Sequence, residues 1–119
     1  MATLVDVTGA DYPERHRGFD ILPMEGKSLL PAFDDRPIDR DTLYWEHKGN
    51  AAVLSGDWKL VRLSAQGNWE LYNLKADRTE QHDLAAKHPQ RVAELTEKWL
   101  AWARRCHVAI DGQPRKSGR

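Results

Sequence analysis

The single cysteine is the first residue whose chemistry would matter, because a thiolate can act as a nucleophile or as a metal ligand. Cys106 lies between Arg105 and His107, an arrangement in which a histidine base could activate the thiol. However, the helical spacing places Cys106 on an apolar face, and His107 follows about 100° further around that helix. The sequence therefore favours a buried structural thiol, and one cysteine excludes an internal disulfide.

Histidines and clustered aspartates are the other candidate metal ligands. The histidines show no His-x-His or His-x-x-x-His spacing and are spread over several elements, so no zinc-type site is predicted. The acidic cluster offers the oxygen ligands that Ca²⁺ prefers, but Arg36 and Arg40 interleave it, and a solvated loop is the favoured interpretation. The histidines are His16, His47, His82, His88 and His107, and the acidic cluster is Asp34, Asp35, Asp39 and Asp41.

Paired carboxylates for acid–base catalysis would have to come from Glu46, Asp57 or Glu70. All three are typical of ordinary residues at the edges of a sheet. His47 is more informative, since it ends the first predicted strand just before a turn, where a side chain can face a cleft. A structural histidine is still the simpler interpretation, and these residue types alone do not assemble an active site.

Charge and hydropathy exclude two classes of partner. The 119 residues carry 18 basic and 18 acidic side chains, which removes the net positive field that nucleic-acid binding requires. The mean hydropathy is -0.71, and no apolar run approaches the ~20 residues of a membrane span. The start, MATLVDVTGADY, lacks the basic residues of a signal peptide. The sequence thus predicts no nucleic-acid partner and no membrane partner.

Residues 1–41 are predicted to form a short helix and an irregular connecting segment. The first eight residues suit two helical turns that end at Gly9. Four prolines and two glycines then interrupt the chain, which leaves at most one helical turn around residues 28–33. So long an irregular stretch is unusual inside a self-sufficient domain, and we expect it to lie across something larger.

Residues 42–110 are predicted to form an antiparallel sheet followed by an amphipathic helix. Four runs rich in aromatic and β-branched residues, TLYWEH, AAVLSG, WKLVRL and WELYNL, are separated by turn-forming residues. Alternation places Trp45 and His47 on one face of the first strand, and Tyr44 and Glu46 on the other. The polar passage after the fourth run contains Asp77-x-x-Glu80, which has the spacing of a capping box.

The helix opens at His88-Pro89, since proline is tolerated in a first turn. Its apolar stripe should lie on one face of the sheet, with its two tryptophans packed against tryptophans of the strands. The stripe is Val92, Leu95, Trp99, Trp102 and Cys106, and the strand tryptophan that meets it is Trp45, Trp58 or Trp69. The polar residues 111–119 are predicted to form a disordered tail.

Four phrases in this order and spacing resemble one known family. They are EGKSLLP at 25–31, LYWEHKGNAAVLSGDWKLV at 43–61, WELYNLKADRTEQHDLA at 69–85 and KWLAWARR at 98–105. Together they resemble the C-terminal subdomain of the arylsulfatase-type, formylglycine-dependent sulfatases. The start, MATLVDVTGADYP, resembles the helix that precedes EGKSLLP in those enzymes. The resemblance covers about residues 1–110.

The resemblance implies an α+β fold: a four-stranded antiparallel sheet with the C-terminal helix packed on one face, preceded by an irregular segment. In complete sulfatases this subdomain abuts a large α/β catalytic domain of the alkaline-phosphatase type. That missing catalytic domain would be the partner of this chain. The compartment is left undetermined, since members of the family are often periplasmic or secreted.

The resemblance also implies where the chemistry lies. Sulfatases hydrolyse sulfate esters with a formylglycine made from the first residue of a C/S-x-P/A-x-R motif, and they bind Ca²⁺. Here Cys106 is followed by His-Val-Ala-Ile, so the motif is absent, and neither the Ca²⁺ ligands nor the sulfate-binding basic residues map onto this chain. We expect no catalytic residue, metal or cofactor in it, with Ca²⁺ and the formylglycine in the missing catalytic domain.

Two hypotheses follow. In the first, the chain is a C-terminal sulfatase fragment without turnover of its own, and it supports the active-site rim of the complete enzyme, with His47 and Glu46 as rim residues. In the second, it is a free-standing, non-catalytic module that holds a partner protein or a sulfated sugar with exposed aromatic side chains. On its own, the chain is expected to expose apolar surface and to self-associate.

Overall fold

The computed structural model describes residues 1–108. The chain divides into two compact units, Met1–Arg40 and a second unit that begins at Asp41. The tail predicted at 111–119, and the last two residues of the segment predicted at 42–110, lie outside the described residues. Each unit has its own elements.

The first unit contains two short helices and a small hairpin. Helix α1 (Ala2–Thr8) ends at Gly9, whose φ of 63° is the left-handed conformation of a helix C-cap. Strands β1 (Arg15–His16) and β2 (Phe19–Asp20) pair antiparallel, and α2 (Leu30–Phe33) carries a proline in its first turn. Neither helix of this unit contains a buried residue, so the unit has little core of its own.

The second unit is built on an antiparallel meander. Its strands are β3 (Thr42–His47), β4 (Asn50–Ser55), β5 (Trp58–Arg62) and β6 (Trp69–Asn73), in the order β3-β4-β5-β6. The register aligns Tyr44 with Val53, Val53 with Leu60, and Leu60 with Leu71. These residues therefore form one row across a single face of the sheet.

Helix α3 (Pro89–Arg105) packs on that face and completes the core. Leu95 and Trp99 of the helix meet Val53, Leu60 and Leu71 of the sheet, and each of the five has less than 2% of its surface exposed. The predicted α+β fold, a four-stranded antiparallel sheet with a helix on one face, is confirmed.

Ring contacts show which aromatic residues of the strands face α3. Tyr44 stacks on Trp102, with ring centroids 5.4 Å apart, and Trp69 meets Trp99 edge-on at 6.0 Å. The side chain of Trp45 instead points to the opposite face and is 47% exposed. The expectation that Trp45, Trp58 or Trp69 packs against the helix tryptophans is met by Trp69, while strand alternation gives the covered face of β3 to Tyr44 rather than to Trp45.

The loop between β6 and α3 is fixed by its own side chains. Asp77 Oδ2 accepts hydrogen bonds from the backbone N–H groups of Gln81 and His82, both at 2.8 Å. These bonds hold the pKa of the Asp77 carboxyl below its usual value. The predicted capping box does not form, because Glu80 turns away and pairs with Lys59, Nζ to Oε1, at 2.6 Å.

Candidate functional site

The β3–β4 hairpin carries the two residues that the sequence assigns to a pocket rim. Its turn runs through Lys48 and Gly49, with φ of 50° and 86°, and two positive φ values are what a tight hairpin turn requires. Glu46 Oε1 accepts a hydrogen bond of 3.0 Å from the Gly49 N–H. The Glu46 side chain therefore holds the turn in place.

His47 and Glu46 lie at the same end of the sheet but on opposite faces. Glu46 shares the face of Tyr44, on which α3 packs, and is half-buried. His47 follows the alternation to the face of Trp45 and is exposed. The structure thus places the two predicted rim residues together along the chain and separates their side chains.

The face of the sheet opposite α3, here called the open face, is largely apolar. Cross-strand pairing aligns its members in rows, Leu43 with Leu54 and Trp45 with Ala52. Trp45 is 47% exposed, and Leu63, directly after β5, is 80% exposed. The apolar members of the open face are Leu43, Trp45, Ala52, Leu54, Val61 and Leu63, with His47 at its margin, and Lys59, Glu70 and Tyr72 share the same face. Exposed apolar groups contiguous in this way are typical of a contact surface.

A group of polar residues lies on the open face along β5 and β6. Tyr72 is only 7% exposed, and its hydroxyl donates a hydrogen bond of 2.7 Å to Glu70 Oε2. That bond, burial and the surrounding carboxylates raise the pKa of Tyr72 to about 12, since each disfavours the phenolate. Lys59 is neutralised by Glu80. Because these groups satisfy one another, they are structural rather than reactive.

Cys106 is the C-cap of α3 and is half-buried, and its N–H bonds to the Trp102 carbonyl at 2.9 Å. Within residues 1–108, no three His, Cys, Asp or Glu side chains are close enough to hold a metal ion. The same residues contain no helix long and apolar enough to cross a bilayer.

Two features escaped the sequence interpretation. An open cleft of about 570 Å³ at the β4–β5 turn is lined by Leu54, Gly56, Asp57, Leu74, Lys75 and Arg78.

The guanidinium of Arg62 lies 4.8 Å from the ring centroid of Trp69 and 5.5 Å from that of Trp99. The alternation of β5 already puts Arg62 on the face of Trp58 and Leu60, and this signal could have found it.

Comparison with known proteins identifies the family. An uncharacterized sulfatase of Schizosaccharomyces pombe is 30% identical to this chain in an alignment of 109 positions that covers 86% of the chain. This chain is a sulfatase homologue. The match spans only 20% of that relative, so this chain corresponds to a subdomain. The resemblance predicted from the sequence, to the C-terminal subdomain of the arylsulfatase-type sulfatases, is confirmed. No protein-family model matches this chain.

Solved structures show the same fold. A Bacteroides thetaiotaomicron protein from a study of glycosaminoglycan metabolism superposes with a TM-score of 0.66 at 22% sequence identity. The superposition covers 88% of this chain and 24% of the other chain. A protein in complex with its substrate D-glucosamine-2-N,6-O-disulfate superposes with a TM-score of 0.64 at 21% sequence identity, and the superposition covers 98% of this chain and 25% of the other. A 2-O GAG sulfatase superposes with a TM-score of 0.56 at 23% sequence identity, and the superposition covers 95% of this chain and 26% of the other. This chain thus spans about a quarter of each solved structure.

Proposed function

We propose that this chain is the part of a sulfatase that supports the rim of the active site, in a complete enzyme that hydrolyses sulfate esters. One observation carries the proposal: 86% of the chain matches a sulfatase, and that stretch is 20% of the sulfatase. A subdomain of this size, whose described residues bring no three candidate metal ligands together, would act by completing a larger protein.

The proposed partner is a sulfatase catalytic domain, and the open face supports this. Trp45 and Leu63 expose apolar area there that water solvates poorly, and burying it would contribute about 25 cal/mol for each Å² removed from water. The first unit likewise exposes Leu4, Phe19 and Phe33 by 63%, 76% and 71%. A covering domain would remove these side chains from water.

The two rim residues would act in different ways. The imidazole of His47 is exposed at the end of β3, where it could donate a hydrogen bond to an anionic substrate group. Glu46 is already engaged by the Gly49 N–H. It is therefore a positioning residue, which fixes the turn and with it the direction of His47.

The residues present do not fit the cofactors of the family. No described cluster of carboxylates and histidines could hold Ca²⁺. Cys106 is followed by His107 and Val108, not by the motif from which formylglycine is made. We therefore assign both groups to a catalytic domain and derive no catalytic step through them here.

A turnover assay tests the proposal. The purified 119-residue chain, given a chromogenic aryl sulfate and Ca²⁺, should release no product above the uncatalysed rate. Product formation that disappears in the Cys106→Ala variant would contradict it, because the nucleophile would then lie in this chain. Genomic DNA upstream gives an independent test, since an in-frame segment encoding C-x-P-x-R supports the proposal.

The second candidate, a free-standing module that binds a partner protein or a sulfated sugar, is favoured by the exposed indole of Trp45. Exposed tryptophans provide flat apolar area at low entropic cost in such modules. A promoter and ribosome-binding site at Met1, together with a strictly monomeric chain, would favour this candidate over the first.

A further inference from the structure

Strand β3 lies at the edge of the four-stranded sheet, and alternate residues along it direct their backbone groups away from β4. The two-residue turn pairs His47 with Asn50, and such a turn directs the His47 carbonyl toward the Asn50 N–H. Because this direction alternates along an antiparallel strand, every second residue before His47 also bonds to β4. Within residues 1–108, no backbone hydrogen bond reaches the residues between them from the outer side. These outward residues are Thr42, Tyr44 and Glu46.

The β3 edge lacks the residues with which proteins commonly block a free edge. Its sequence, TLYWEH, contains neither lysine nor proline, the two residues most often placed on an edge to prevent further pairing. The one carboxylate of the strand, that of Glu46, already accepts a hydrogen bond from the Gly49 N–H. The edge therefore presents backbone donors and acceptors that a further strand can use.

We propose that β3 pairs antiparallel with β3 of a second copy, about a twofold axis that passes between the two Tyr44 residues. In this register Tyr44 faces the second copy's Tyr44, and Thr42 faces the second copy's Glu46. Each such pair exchanges two backbone hydrogen bonds, so every outward residue finds a partner. A register shifted by two residues would place Lys48 of the turn, or Arg40 outside the strand, opposite one outward residue.

The side chains of the open face match in the same register. Leu43 lies opposite the second copy's Trp45, which gives an apolar cross-strand pair on each side of the axis. Asp41, one residue before β3, lies opposite the second copy's His47, whose ring N–H can donate to the carboxylate. Trp45, His47 and Asp41 are all exposed in the single chain. The shifted registers would instead oppose Leu43 to His47, or Asp41 to Trp45, so side chains and backbone favour one alignment.

Helix α3 leaves room for this pairing. It lies mainly over β4 and β5 rather than over the edge strand. In the paired sheet the two β4 strands would be three strand spacings apart, about 14 Å, whereas packed helices are separated by about 8–10 Å. Each Tyr44 ring can stay stacked on its own Trp102. The inference does not rest on the proposed function, because pairing at the edge leaves the open face uncovered.

Amide hydrogen exchange of the wild-type 119-residue chain, followed by NMR at micromolar and millimolar concentration, tests the pairing. The amides of Thr42, Tyr44 and Glu46 should exchange more slowly at the higher concentration, about tenfold where nine-tenths of the chains are paired, since only unpaired chains expose them. The amides of Leu43 and Trp45 bond to β4 and should change little. Outward amides whose exchange is independent of concentration would overturn the proposal, whether the chain is monomeric or associates through its open face.

A pair of variants at Thr42 gives a second measurement. Thr42→Pro removes an outward N–H, and proline is tolerated at the first residue of an edge strand. Thr42→Val keeps the N–H and the β-branched shape, so it is the matched control. Because the twofold axis applies each substitution twice, the dimer dissociation constant from sedimentation equilibrium should rise about tenfold or more in Thr42→Pro and change little in Thr42→Val. Equal constants in two folded variants would contradict the pairing, and the wild-type exchange measurement decides it even if Thr42→Pro does not fold.

Discussion

The indole N–H of Trp99 donates a hydrogen bond of 3.0 Å to the backbone carbonyl of Trp45, which lies 54 residues earlier in the chain. The two tryptophans contribute differently, because the ring of Trp99 is buried while the ring of Trp45 is 47% exposed. This bond fixes α3 against β3. It also means that Trp45 supports the core through its main chain and leaves its side chain available on the open face.

Trp99→Ala should lower the free energy of unfolding by about 3–5 kcal/mol, since it empties a large aromatic site in the core. Trp99→Phe keeps most of the ring but removes the donor to the Trp45 carbonyl, so a smaller loss is expected. Glu97→Ala, on the exposed side of the same helix, should change stability by less than about 0.5 kcal/mol. Equal urea midpoints for Trp99→Ala and Glu97→Ala would contradict this packing of α3.

Gly67→Ala should be destabilising although Gly67 lies in a surface turn. A Cβ at position 67 would overlap the backbone carbonyl oxygen of Leu63, so the β5–β6 turn would have to shift. A substitution that the native backbone does not accommodate costs more than about 1 kcal/mol. Gly26→Ala is the control, because its Cβ would meet only the Ala2 side chain at 3.8 Å. Thermal unfolding of the two variants distinguishes a tight turn from a generally sensitive fold.

Tyr72 should make the fold less stable between pH 10 and pH 12. Its pKa rises from 10.0 to about 12 in the folded state, first through its hydrogen bond to Glu70. Below pH 10 the phenol is protonated in both states; above it, only the unfolded chain ionises freely. The unfolding free energy therefore declines as pH rises through this range.

The Tyr72→Phe variant isolates this effect, because it removes the ionising group and keeps the ring. Its urea midpoint should fall less steeply between pH 10 and pH 12 than that of the wild type, while the exposed Tyr12→Phe should follow the wild type. Parallel declines in the wild type and Tyr72→Phe would show that other groups cause the loss of stability.

The isolated chain should self-associate, and Trp45 should contribute to the contact. Light scattering after size-exclusion chromatography should show dimers or larger species at high concentration, because contiguous exposed apolar area favours association. Trp45→Ser should shift the distribution towards monomer. Tyr12→Ser, at a residue 41% exposed in the first unit, should leave it unchanged. A wild-type chain that stays monomeric would argue against an uncovered docking face.

Periodicity predicted the strands and the helix but not which face of the sheet is covered. Tyr44 and Trp45 are neighbours, and alternation assigns them to opposite faces without saying which one meets α3. In the structure Tyr44 stacks on Trp102. The register with β4 places Ala51 and Val53 on the same face as Tyr44, and both are buried.

The β1–β2 hairpin and the packing of Arg62 against two tryptophans were missed for different reasons. The hairpin has only two residues in each strand and turns at Arg17, with φ of 50°, a conformation that arginine rarely adopts. The position of the Arg62 guanidinium depends on Trp99, which is distant in sequence. Strand alternation gives the face on which Arg62 lies, but it does not say which helix residue the guanidinium meets.

The two edge strands of the four-stranded sheet, β3 and β6, have different neighbours. Along β6, the Leu71 N–H donates to Asp83 Oδ1 at 2.9 Å, and the Leu71 carbonyl accepts from the Leu84 N–H at 2.8 Å, so the following loop occupies that border. Along β3, no described strand continues the ladder. A sheet that can accept a neighbour on one border alone can pair with a second copy, but it cannot propagate strand by strand into a fibre. Asp83 thus holds the loop that protects this border of the sheet from a second strand.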